Sequence, residues 1–239
     1  MINTGIIGKG KWGNKLKKKL DKISKVKFFI DSKISFKKII SEVDWVFVAT
    51  PNKTHYSIVF ECLKRKKNIF CEKPLTLSAK KSKYLFNYAN KNNLKLYVDD
   101  IENFKLKKIK INPNKNTVIR KKNGIGNNKS LLYRLTYHNF YLLYDKLKKY
   151  KIKKIINHSD KEKLSFSIVY KNFYINFIYS INSKKNIHVI NDVNFLKFRG
   201  DPLAKMLNKV LANKVNYLKN QKSALFANYL IDKIKYKIN

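Results

Sequence analysis

The chain is poor in the residues that punctuate or staple a fold. It has only 7 glycines, 4 prolines and 2 cysteines in 239 residues. Two cysteines, Cys62 and Cys71, give neither a disulfide framework nor a zinc-ligand spacing, so both classes are set aside and no metal is expected. They read as small buried side chains in a reducing compartment. No apolar run approaches the length of a bilayer span. The first residues lack the basic and apolar regions of a secretory signal, which points to a cytoplasmic protein. Acidic residues are scarce as well, with 15 Asp+Glu against 54 Lys+Arg and a formal net charge of +39.

What is present suits a globular protein, with 44% hydrophobic and 13% aromatic residues. The charge has two readings. One is a footprint for nucleic acid or an anionic membrane. The other is composition drift, since Lys, Asn, Ile, Tyr and Phe rise together and the basic residues are scattered rather than gathered in a tail. Drift is the preferred reading, and nucleic-acid binding beyond non-specific attraction at low salt is not expected.

The first hundred residues alternate strand and helix patterns. Apolar runs at Ile2–Ile7, Val26–Ile30, Trp45–Ala49, Asn68–Cys71 and Lys95–Val98 read as strands. Trp12–Ile23, Phe36–Ile40, His55–Arg65 and Ser78–Asn92 read as helices, with Thr54 and Ser78 as N-caps. Repeated βα units imply a parallel sheet covered on both faces. Beyond residue 100 the pattern changes. A strand at Thr117–Lys121 and a helix at Leu131–Leu147 precede β-like runs at Leu164–Tyr170, Phe173–Ser180, Ile187–Ile190 and Val193–Phe198. Helices over Pro202–Leu211 and Ser223–Ile234 follow. The expected fold is α/β: an N-terminal Rossmann domain over residues 1–100 and a smaller α+β domain, with a mostly antiparallel sheet, over 101–239.

Three of the few glycines stand as Gly8-Lys9-Gly10-Lys11-Trp12-Gly13, between the first strand and the first helix. Gly8 permits the tight turn, Gly10 allows backbone to approach a pyrophosphate, and Gly13 allows close helix–strand packing. The phosphates would meet the amides of Lys11, Trp12 and Gly13 at the helix N-terminus. Asp31 follows the second strand, roughly 20 residues beyond the glycines, where a carboxylate can accept from both ribose hydroxyls and favour NAD over NADP. Lys33 is near enough to blur that preference by meeting a 2′-phosphate. Two further segments, Ala49-Thr50-Pro51-Asn52-Lys53-Thr54-His55 and Cys71-Glu72-Lys73-Pro74-Leu75, follow the third and fourth strands. They belong at the carboxyl edge of the sheet, where open α/β folds bind ligands. A lysine held there can exchange a proton with a substrate oxygen.

Together these segments resemble the Gfo/Idh/MocA oxidoreductases, the relatives of glucose–fructose oxidoreductase and inositol dehydrogenase. GIIGKGKWG, VATPNKTHY and CEKPLTLSA stand in the family's order. The resemblance implies cofactor contacts at Gly8, Gly10, Lys11, Trp12, Gly13, Asp31, Thr50, Pro51, Asn52, His55, Glu72 and Lys73. It makes Lys73 the catalytic lysine and His138 the histidine of the family's Asp-x-x-x-His helix. Arg134 stands where that motif has Asp, and an arginine cannot serve as a proton acceptor. Asp99 or Asp100 could supply a carboxylate instead. The segment between Phe104 and Ser130 is short for the family, so the second domain looks trimmed internally. The resemblance further implies hydride transfer between NAD or NADP and a sugar, nucleotide-sugar or polyol, in a homo-oligomer. A catalytically impaired dinucleotide-binding partner or sensor is the alternative.

Overall fold

The computed structural model describes residues 1–31, 35, 38–105, 107–123 and 131–238, with the backbone alone at 238. Lys33, and part of the helical stretch expected at 36–40, lie outside these residues. The chain divides into two compact units. One comprises Met1–Phe104 with Asp201–Asn228, the other Lys105–Gly200 with Tyr229–Asn239.

The first unit is built on a five-stranded parallel sheet. Its strands are β1 (Asn3–Ile7), β2 (Lys25–Ile30), β3 (Trp45–Val48), β4 (Asn68–Cys71) and β5 (Leu96–Val98), in the order β2-β1-β3-β4-β5. All four residues of β3 are buried, as a central strand covered on both faces requires. Helices α1 (Lys11–Leu20), α2 (His55–Lys64) and α3 (Ala79–Lys91) connect the strands. Helix α1 turns Leu16 and Leu20 inward and leaves its lysines on the polar side. Ser78 caps α3 by accepting the Lys81 amide hydrogen. Thr54 does not cap α2. Its hydroxyl lies 2.8 Å from both Thr50 Oγ1 and the Pro51 carbonyl, so it braces the preceding loop instead.

Two late helices also belong to this unit in whole or part. Asp201 caps α5 (Pro202–Leu211) by accepting the Ala204 amide hydrogen at 2.9 Å, and Pro202 opens the first turn. The helix packs Leu203, Met206, Leu207 and Val210 into one core with Leu16, Leu20, Phe47 and Phe70. The boundary read at residue 100 is a sequence boundary. In space, this apolar face draws residues 201–228 onto the first sheet. Asn220, on the long last helix α6 (Tyr217–Ile238), completes the sheet's edge: its side chain accepts from the Val98 amide and donates to the Val98 carbonyl, both at 2.9 Å.

The second unit holds a six-stranded sheet in the order β11-β10-β6-β9-β8-β7. The strands are β6 (Asn114–Lys121), β7 (Lys154–Asn157), β8 (Lys163–Val169), β9 (Phe173–Ser180), β10 (Ile187–Ile190) and β11 (Val193–Asn194). Every pairing is antiparallel except β6 with β9. The hairpin read at Lys171 and Asn172 joins β8 to β9. The strand read over 193–198 is shorter, Val193–Asn194. Helix α4 (Tyr137–Leu147) lays Phe140 against Phe166 and Phe177 of the sheet. Complete burial of such a ring stabilises by roughly 1.5–3 kcal/mol. Thus an α/β Rossmann unit accompanies an α+β unit with a mostly antiparallel sheet, the architecture expected from the sequence.

Candidate active site

Four ladder hydrogen bonds carry the first sheet one step past its strand ends. The Gly8 amide donates to Ile30, Ala49 to Ile7, Glu72 to Val48 and Asp99 to Cys71, at 2.8–2.9 Å. Asp31, Gly8, Thr50, Lys73 and Asp100 therefore follow adjacent strands along one carboxyl edge. The strand order puts the topological switch, where open α/β sheets bind ligands, between β1 and β3.

The glycine turn is as tight as its sequence demands. Gly8 has φ +115°, and a Cβ there would sit 2.4 Å from the Ala49 carbonyl oxygen. A Cβ at Gly13 would sit 1.8 Å from the Gly8 carbonyl oxygen, so helix and strand close on each other only without a side chain. Gly10 differs: a Cβ there would have nothing within 4 Å. That open space lies at the N-cap of α1, where no side chain caps the helix amides. Amides at such a helix start favour an anion. Two buried polar atoms at this edge also lack protein partners, the Trp12 indole Nε1 and Glu72 Oε1. The turn and its open N-cap fit the phosphates of a dinucleotide. Gly8, Gly10, Lys11, Trp12 and Gly13 would hold its phosphates.

Around Lys73 the side chains are acidic and enclosed. Asp99 is 1% exposed and its Oδ1 accepts the Ile101 amide hydrogen at 3.0 Å. Burial pushes the Asp99 carboxyl up to about 7, against the opposing pull of the Lys73 charge. Burial, then the Asp99 charge, holds Glu72 well above the usual carboxylate range, while Lys73 pulls it down. Each carboxylate raises the other, since like charges so close disfavour double ionisation. Asp100 accepts from Tyr97 Oη at 2.5 Å and from Asn103 at 3.1 Å, and burial raises it to about 6. Cys62 and Cys71 are fully buried, and burial pushes both thiols up, away from reactivity.

Thr50, Pro51 and Asn52 form the loop after β3, with Thr50 buried and Pro51 exposed. His55 is fully buried. Its Nδ1 lies 2.8 Å from the Pro74 carbonyl oxygen and its Nε2 2.8 Å from that of Thr50. Both ring nitrogens are thus occupied by backbone. The sequence pattern marks this histidine but carries no sign of its carbonyl partners, because one of them lies 19 residues on.

His138 belongs to the second unit, in the first turn of α4, where it is 9% exposed. A π-helical turn, Leu132–Thr136, precedes it and holds Arg134 exposed. The next residue, Asn139, places its Nδ2 2.9 Å from His188 Nε2. Among the described residues, no group of three or more His, Cys, Asp or Glu could hold a metal ion. No described helix is long and apolar enough to cross a membrane.

Fold and site define a class: a dinucleotide-binding Rossmann unit joined to an α+β unit. Comparison with known proteins places the likeness more narrowly. Residues 17–100, which carry the second and third of the motifs, match the model of the Gfo/Idh/MocA oxidoreductase family, described as having an NAD-binding Rossmann fold. The match begins just beyond the glycine turn. An uncharacterized oxidoreductase of Streptococcus pneumoniae serotype 4 is 40% identical over 63 residues, which make up 26% of this chain and 17% of that protein. Among solved structures, UDP-N-acetylglucosamine 3-dehydrogenase GnnA from Acidithiobacillus ferrooxidans has a TM-score of 0.83 at 15% identity, covering 99% of this chain and 97% of its own. The WlbA dehydrogenase of Thermus thermophilus, solved with NAD and α-ketoglutarate, has a TM-score of 0.76 at 14% identity, covering 97% and 94%. At these identities the structural likeness speaks for the fold.

Proposed function

We propose that the chain is an NAD(P)-dependent oxidoreductase acting on a secondary alcohol of a sugar, nucleotide-sugar or polyol. One observation carries this reading: the glycine turn, Asp31, the Thr50 loop and Lys73 occupy consecutive strand ends of a single sheet edge. A bound nicotinamide dinucleotide would supply the hydride acceptor. Gly8–Gly13 would hold its diphosphate, Asp31 would accept from the adenosine ribose hydroxyls, and Thr50, Pro51 and Asn52 would border the nicotinamide ribose.

Lys73 Nζ, as the neutral amine, takes the hydroxyl proton while the carbon bearing that hydroxyl gives up a hydride. The alcohol becomes a carbonyl and Lys73 an ammonium. The Glu72–Asp99 pair stabilises that ammonium, because a carboxylate beside it favours the charged form. His138 is the second acid/base candidate. Asp31 favours NAD, since a carboxylate repels a 2′-phosphate. The substrate class is that of UDP-N-acetylglucosamine, by likeness to the GnnA dehydrogenase. The copies would assemble into a homo-oligomer, and the protein would act in the cytoplasm.

Purified protein, NAD and a panel including UDP-N-acetylglucosamine and myo-inositol test this reading. NADH formation at 340 nm is expected, and Lys73→Ala should abolish it while NADH binding persists. A second reading follows from Arg134, which leaves the Asp-x-x-x-His helix without its carboxylate: a dinucleotide-binding partner or sensor. NADH binding without turnover across the panel favours it, and no NADH binding removes both readings.

A further inference from the structure

His55 has a ring nitrogen toward each of the two loops that follow β3 and β4. Its Nε2 meets the Thr50 carbonyl in the loop after β3, and its Nδ1 meets the Pro74 carbonyl beside Lys73, each at 2.8 Å. The ring is fully buried, so no solvent competes for either contact. A carbonyl oxygen only accepts, and a neutral imidazole carries a single N–H. The neutral ring therefore satisfies one loop at a time, and only the imidazolium satisfies both. Burial, with the Lys73 charge adding to it, lowers the pKa of the ring; the two carbonyls oppose that fall.

We propose that His55 is a positioning residue. It ties the loop beside the nicotinamide ribose to the loop bearing Lys73, and so fixes their separation without touching cofactor or substrate itself. This rests on the reading of Lys73 and the Thr50 loop given above. A ring enclosed by backbone on both sides has no free nitrogen to offer a cofactor. The tie also explains why this position takes an imidazole. The imidazolium donates to both carbonyls, and the neutral ring donates, according to its tautomer, to either one.

The two halves of the tie separate chemically. In His55→Asn the amide nitrogen takes the place of Nδ1 and keeps the Pro74 bond alone. In His55→Gln it takes the place of Nε2 and keeps the Thr50 bond alone. In ¹H–¹⁵N spectra of the cofactor-free protein, His55→Asn should move the amides of residues 49–54 and spare Glu72, Lys73 and Leu75; His55→Gln should do the reverse. NADH titrated by fluorescence should bind about three- to tenfold more weakly to His55→Asn, the loss expected for one hydrogen bond, and with nearly native affinity to His55→Gln. His55→Ala should disturb both loops.

The same amides moving in both half-variants, or neither loop moving, overturns the tie. A His55→Gln variant that loses NADH as His55→Asn does also overturns it. If wild-type protein binds no NADH, the oxidoreductase reading falls, and the cofactor-free spectra still decide the tie.

Discussion

The two units handle their polar groups differently. At the edge of the first sheet many polar groups of the described residues have protein partners: the loop amides continue the ladder, His55 lies against two carbonyls, and Asn220 closes both groups of Val98. Among the described residues, Trp12 Nε1 and Glu72 Oε1 are buried there without a hydrogen-bond partner, on segments the sequence assigns to the cofactor. In the second unit the unsatisfied atoms sit inside the sheet–helix core. Tyr179 Oη and Asn139 Oδ1 are buried without partners, and the neighbouring His188 is pushed down to about 2, chiefly by burial. A ready-made ligand edge concentrates its vacant hydrogen-bonding groups at strand ends. A structural sheet spreads them through its interior, where each costs about 1–3 kcal/mol. On this contrast the first unit carries the chemistry-ready geometry.

The largest effect belongs to Lys73. Lys73→Ala should lower turnover about a thousandfold, within the range for a lost acid/base group, with NADH affinity changed by no more than about 1 kcal/mol. Steady-state kinetics and fluorescence titration check the two halves. Turnover that survives the substitution removes Lys73 from the reaction and leaves the first unit a binding module.

The glycine turn separates packing from binding within one motif. Gly13→Ala forces a methyl group onto the Gly8 carbonyl, 1.8 Å away, and backbone on both sides cannot yield. It should cost about 3 kcal/mol in urea unfolding, the upper end for overpacking. Gly10→Ala places its methyl in open space at φ −71°. Its stability should fall by no more than about 1 kcal/mol, while NADH binds about tenfold or more weakly, because the methyl occupies the room left for the phosphates. Equal loss of stability in both variants would mean that the open space at Gly10 serves no ligand.

Much of this first unit is legible in the sequence because its constraints are local. Gly13 must lack a Cβ because of Gly8 in the same turn, Gly8 itself holds a positive φ, and the fully apolar β3 announces a strand covered on both faces. What escapes the sequence depends on distant partners. The apolar face of α5 is plain in Leu203, Met206, Leu207 and Val210, yet periodicity does not say which sheet it joins. The pattern suggests Thr54 as a cap, but Thr50 and the Pro51 carbonyl compete for its hydroxyl and win. Strand β7 carries little apolar alternation, Lys154 and Asn157 being exposed at its ends, and its register comes from pairing with β8. His138 and Arg134 are visible by resemblance, but the π-helical turn that holds Arg134 is not, because a change in helical pitch leaves no mark in residue spacing.

A smaller effect attaches to the enclosed carboxyls. The folded pKa of Asp99, about 7, stands above its ordinary value of 3.8. Its contribution to stability is therefore full below pH 3.8 and lost as pH rises through 7. Asp99→Asn keeps an oxygen for the Ile101 amide and cannot ionise. It should be more stable than wild type at pH 8 by on the order of 1–3 kcal/mol, and should flatten the fall in stability between pH 4 and 7. Urea unfolding at pH 5 and pH 8 measures the difference. The same gap at both pH values would mean that ionisation of Asp99 costs the fold nothing.

The smallest expected effect concerns Asp31, the first residue beyond β2 and half-buried. A carboxylate here gains by accepting from two ribose hydroxyls and loses by facing a 2′-phosphate. Charge-assisted bonds of this kind contribute about 1.5–3 kcal/mol, but the surrounding surface is strongly basic and attracts both cofactors, which compresses the discrimination. Asp31→Ser should therefore narrow the preference for NADH over NADPH by about tenfold, through weaker NADH binding and stronger NADPH binding together. Raising the salt should shrink the NADPH gain first, since attraction to the added phosphate is screened over about 10 Å at 0.1 M, whereas the ribose bonds are short-ranged. If NADH affinity is untouched by the substitution, Asp31 does not reach the ribose, and the cofactor choice lies with some other residue at the end of β2.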